Sequence, residues 1–159
     1  MNTQTLLHLC LTVHLIALTM AVGVTIANAV ASSQFWKLYD KNIEHGLSAF
    51  RAIKKFQMFG MIGLILLLLS GITMLWLYNW AYGEQLWFKI KMNCILLILI
   101  NGFTLGRITT LKLEKLLKEE RPSDNLVDIS RLRRNQKIFH FTQLSLFILI
   151  VVLASFRFV

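Results

Sequence analysis

Apolar residues gather in four long blocks, at 6–36, 56–80, 87–107 and 138–157, separated by shorter polar stretches. A helix crosses about 30 Å of hydrocarbon in roughly 20 residues. Each block therefore predicts one membrane-spanning helix. No Lys, Arg, Asp or Glu occurs between positions 1 and 36, and none between 56 and 80. The first block is longer than one crossing needs, so its helix tilts or projects beyond the bilayer. Ala27-Asn28-Ala29 and Ala29-Val30-Ala31 imitate leader cleavage sites. Residues 1–5 lack the positive stretch of a leader, so the block reads as a retained span.

The connections complete the pattern. Residues 37–55 carry Lys37, Lys41, Arg51, Lys54 and Lys55 against Asp40 and Glu44. The stretch 81–86 is short and holds Glu84. Residues 108–137 hold eight Lys/Arg and five Asp/Glu. Within them, 111–120 reads as a helical extension that Pro122 stops, helped by Ser123, Asp124 and Asn125. Both basic connections fall on one side, which the positive-inside rule makes cytoplasmic. Trp36, Trp76, Trp80, Tyr82 and Trp87 lie near block ends, as interfacial aromatics do. The expected fold is all-α: a single domain over 1–159, a four-transmembrane-helix bundle with both termini outside.

Composition sharpens this. Of 159 residues, 56% are hydrophobic and 16% charged, against about 45–50% and 25% in a soluble domain. The net charge of +9 flanks apolar blocks, so it points to lipid head groups and topology rather than nucleic acid. Cys10 and Cys94 sit inside apolar blocks without paired spacing and read as small buried hydrophobes. No nucleophile elbow, phosphate-cradling glycine loop or HExxH spacing occurs. No acidic residue lies within a span, which argues against a carboxylate-driven transporter.

Ionisable groups in the membrane are costly, and each invites a functional reading. His14 shares a helical face with Ala17, Ala21, Thr25 and Asn28, a small and weakly polar surface suited to the bundle interior. A neutral imidazole there either bonds to a neighbouring helix or ligates a metal, most naturally haem iron. His8 lies about 120° around the same helix and reads as interfacial. His45 and His140 read the same way. Lys91 lies about a turn inside the third block and shares the outer half with His14. It either snorkels or pairs with a carboxylate-bearing ligand. Lys89 reads as a plain anchor. Gly60, Gly63, the Ser70-Gly71 pair and the Gly102–Gly106 pair permit close helix contact, within the chain or between copies.

With these residues in view, the chain resembles the HemJ-type protoporphyrinogen oxidases and the related CopD-type four-helix membrane proteins. The carriers of the resemblance are His14-Leu15-Ile16-Ala17, Lys54-Lys55-Phe56 through Ser70-Gly71, Lys91 followed by Gly106-Arg107, the basic-aromatic stretch from Arg133 to Phe141, and Arg157 near the end. The resemblance implies a haem b-binding bundle in a bacterial inner membrane. It implies His14 as axial ligand and Lys91 near the tetrapyrrole carboxylates, as the catalytic candidate. Asn28 and Arg107 are further candidate cofactor contacts. The function expected is a haem-binding or porphyrin-handling redox protein, working with a porphyrin or an electron-transfer partner. Two rivals stand beside it. One is a non-enzymatic assembly subunit packing through glycine faces, possible as a homo-oligomer. The other is a CopD-like copper handler using His8, His14, Met20 and Met74.

Overall fold

The computed structural model describes residues 2–41, 43–118 and 126–155. They form five helices: α1 (Thr3–Tyr39), α2 (Ile43–Leu77), α3 (Leu86–Asn101), α4 (Arg107–Lys118) and α5 (Leu126–Ser155). A π-helical turn, Gly102–Gly106, joins α3 to α4, so these two run on as one rod. Among the described residues four helices are long and apolar enough to cross a membrane, α3 and α4 counting together. No strand occurs among the described residues. The all-α, four-span reading of the sequence holds.

The spans extend further into water than the apolar blocks do. The basic stretch read as a connection over 37–55 is helical from Ile43, and α5 begins at Leu126 rather than near 138. The reason is local: Phe50 and Ile53 on α2 and Leu132 on α5 are buried. Lys and Arg are also good helix formers, so the helix continues for as long as one face has a core to pack on. The second span ends at Leu77 rather than Trp80, because Asn79 and Trp80 adopt left-handed backbone, at φ 49° and 60°. The helical extension after the third span is confirmed as far as Lys118. The stop at Pro122 and the position of Arg157 lie outside the described residues, as does the His45 side chain.

Two apolar clusters organise the interior. At the end carrying the basic connections, Phe35 and Trp36 from α1, Phe50 and Ile53 from α2, Leu113 from α4 and Leu132 from α5 close together. Trp36, expected to sit at the interface, is buried there, its ring edge-on to Phe35 at 5.0 Å between centroids. In the middle of the spans, Ala21, Cys94, Ile98, Phe147 and Ile150 form the second cluster. Small residues set the α1–α2 distance beside it. A Cβ on Gly63 would stand 3.2 Å from the Ala21 nitrogen, and one on Gly60 would stand 2.9 Å from a Val24 methyl. Such close approach is how helices gain contact where lipid offers no hydrophobic drive.

The buried face of the third rod runs past the π turn. Lys91, Cys94, Ile98 and Asn101 follow one helical stripe, and Thr109 and Leu113 resume the buried face beyond the turn. The spacing of Gly102 and Gly106 suggested one contact face, but their surroundings differ. A Cβ on Gly106 would meet the Phe139 ring at 3.0 Å, whereas Gly102 faces open space.

Candidate functional site

His14 lies on α1, in the half of the spans away from the basic connections, on the stripe that buries Ala17, Ala21 and Asn28. Across from it α2 presents Ser70-Gly71. The His14 Nδ1 and Ser70 Oγ stand 2.9 Å apart. The Ser70 hydroxyl reaches back to the Leu66 carbonyl at 2.7 Å and the Leu67 carbonyl at 3.1 Å, as serines within helices do. A hydroxyl has one hydrogen. Given to the helix carbonyls, it leaves the Ser70 oxygen as acceptor for a hydrogen on Nδ1. The Leu67 carbonyl, another acceptor, also borders the ring. This assigns the tautomer: Nδ1 carries the proton and Nε2 keeps its lone pair. Gly71 completes the cradle, since a Cβ there would already touch the imidazole carbon Cε1 at 3.4 Å.

Lys91 is half-buried on the inward stripe of α3, one turn before Cys94. Its ammonium stands within electrostatic reach of the His14 ring. No carboxylate among the described residues forms an ion pair with it. Lys89, two positions earlier, is exposed and bridges to Glu84 at 3.0 Å, the interfacial role its position suggested. The imidazole on α1 and the ammonium on α3, which has no ion-pair partner among the described residues, thus lie in the same half of the spans, close enough to act on one another electrostatically.

The other candidates lie elsewhere. His8 is exposed on α1. It sits about 9 Å along the axis from His14 at 1.5 Å per residue. Asn28 is buried on the same face as His14, but fourteen residues on, about 21 Å away along the helix. Arg107 is exposed at the start of α4, beyond the π turn and far along the rod from Lys91. Neither Asn28 nor Arg107 joins the His14–Lys91 site. Among the described residues no three His, Cys, Asp or Glu side chains converge to hold a bare metal ion. A tetrapyrrole iron makes a different demand, one axial nitrogen from the protein. The residues present fit that demand: a ligating His normally fixes its other nitrogen with a hydrogen bond, as Ser70 does here. Ser70 itself was singled out in the sequence only as half of a packing pair. The signal that finds it is its register, opposite His14 once α1 and α2 are known to be antiparallel.

Comparison with curated proteins and with solved structures returned no match. Residues 8–157 match the model of a family described as "Predicted integral membrane protein (DUF2269)", and the chain, an integral membrane protein, belongs to that family.

Proposed function

We propose that the protein is a tetrapyrrole-binding redox or porphyrin-handling protein, with His14 Nε2 as axial ligand and Lys91 as partner of a ligand carboxylate. The observation that carries this is the Ser70 hydroxyl, 2.9 Å from His14 Nδ1 and bonded to the Leu66 carbonyl, an arrangement that favours the imidazole proton on Nδ1; in the same half of the spans Lys91 has no counter-charge among the described residues. A half-buried ammonium without a partner is expensive in a membrane and gains most from an anionic ligand. A bound haem b would supply one-electron chemistry. The chain's own part is to bind and orient the macrocycle, with Ser70 and Gly71 fixing the imidazole and Lys91 gripping a propionate. The resemblance to HemJ-type oxidases adds protoporphyrinogen as the substrate class. By the positive-inside rule the basic end faces the cytoplasm and this site the outer leaflet of a bacterial inner membrane.

The test is an absorption spectrum of detergent-purified protein expressed with ample haem. A Soret band is expected, and His14→Ala should abolish it. Ser70→Ala should weaken haem affinity about 10–100-fold, as loss of an outer-shell partner does. Lys91→Ala should weaken binding of free-acid porphyrin but not of its dimethyl ester. A colourless wild-type preparation would overturn the reading.

A second reading, a non-enzymatic assembly subunit, is favoured by one observation. Gly23 and Gly102 have no atom within 4 Å of where a Cβ would stand, so these small sites lie open to a second copy or another chain. Cross-linking from Gly23→Cys in a colourless protein would support it.

A further inference from the structure

A second polar region lies in the other half of the spans, and it differs in kind from the His14 site. On α5 the residues Arg133, Gln136, His140 and Gln143 recur at spacings of three, four and three, which is one helical face. Phe147 and Ile150 continue it into the mid-span cluster. This face looks inward. Gln136 accepts from Trp36 Nε1 at 2.7 Å, and Gln143 accepts from Asn101 Nδ2 at 2.9 Å. Asn101 also donates to the Phe139 carbonyl at 3.2 Å. Helix α1 runs antiparallel to α5, pairing Trp36 with Gln136 and Ala21 with Phe147. By that register Asn28 stands level with His140 and Gln143.

The buried atoms left without a partner decide the matter. Among the described residues three buried side-chain nitrogens or oxygens lack any hydrogen bond: Arg133 Nε, His140 Nδ1 and Asn28 Oδ1. All three lie on this face or level with it. Asn28 is only 7% exposed. An isolated orphan polar group costs about 1–3 kcal/mol, and native proteins satisfy such groups with ordered water where the site is polar. Arg133, tied to Asp40 at 2.6 Å, lies at the basic end, and about two turns deeper on the same face His140 stands opposite Asn28.

We infer that Arg133, Gln136, His140 and Gln143, with Asn28 and Asn101 facing them, line a water-filled inlet. It opens at the basic end and closes at the apolar layer of Ala21, Cys94, Ile98 and Phe147. Its ligand is a file of hydrogen-bonded water that bridges His140 Nδ1 and Asn28 Oδ1. The inlet gives water, and protons carried by it, access from one face to the middle of the bundle. It stands whether or not His14 binds a porphyrin.

Cysteine accessibility in sealed proteoliposomes tests this, in a background where Cys10 and Cys94 are alanine. A charged, membrane-impermeant thiol reagent reacts with thiolate, which forms in water and not among lipid chains. Gln143→Cys and Asn28→Cys should react from the basic side, about ten-fold or more faster than Ile98→Cys in the apolar layer or Phe141→Cys on the lipid face, given that thiolate requirement. Rates at Gln143→Cys and Asn28→Cys as slow as these controls would overturn the inlet, as would equal reaction from the opposite side. Because such variants can misfold, the unaltered protein gives a second measurement. Pulsed radiolysis in oxygen-18 water should place label on His140 and none on Phe147. No label on His140 would overturn the proposal equally.

Discussion

At the basic end, α1, α2, α4 and α5 meet in one cluster around Phe35 and Trp36. Polar ties brace it: Trp36 to Gln136 at 2.7 Å, Arg133 to Asp40 at 2.6 Å, Lys54 to Glu114 at 2.9 Å and Gln57 to Thr110 at 3.2 Å. The guanidinium of Arg133 also lies 5.1 Å from the centre of the Trp36 ring. In the opposite half, the cross-helix side-chain tie among the described residues is His14 to Ser70. One end is knit by bulky rings and cross-helix polar ties, with Arg133 Nε, His140 Nδ1 and Asn28 Oδ1 left over behind them. The other is held by small residues and one bond, and it keeps a lone pair and a cation unspent. On the proposed function, stability and binding divide between the two ends, as when binding regions are drawn from the less constrained parts of a fold.

The strongest way to break this contrast is Trp36→Ala. Losing a buried aromatic and the donor to Gln136 should cost about 3–5 kcal/mol, read by reversible unfolding in mixed micelles. Ligand binding per folded molecule should stay unchanged, and its loss would show that the ends are not separate. Next comes Gly63→Leu between the two ends, where the side chain would strike the α1 backbone at Ala21. Overpacking there should cost about 1–3 kcal/mol by the same assay and displace His14 from Ser70. Ser70→Ala should cost only about 1 kcal/mol of stability, the worth of one hydrogen bond, while its effect on the imidazole shows in the spectrum. The smallest effect belongs to Lys54→Ala. Its ion pair with Glu114 is largely exposed, so about 0.2–1 kcal/mol is expected, fading at high salt.

The sequence by itself determined the number of spans, their order, and which polar residues sit in them. Long apolar blocks, the first two without charge over 1–36 and 56–80, leave lipid as the only solvent that fits, and in lipid the backbone must close its own hydrogen bonds. It also determined the inward face of α1, because Ala17, Ala21 and Asn28 repeat at helical spacing and are the residues buried. Helix ends were less legible. Basic residues look like loop until Phe50, Ile53 and Leu132 are seen to have a common core. Only the tertiary structure decided which polar groups meet. His14 and Ser70 are 56 positions apart, and Asn101 and Gln143 are 42 apart. Periodicity fixes the face a side chain occupies on its own helix, but the helix it meets depends on crossing angles and antiparallel register. The packing of all the helices together sets those. That same packing put His14 and Lys91 within electrostatic reach of each other, left Asn28 and Arg107 far from them, and turned Gly106 onto Phe139 while Gly102 stayed open.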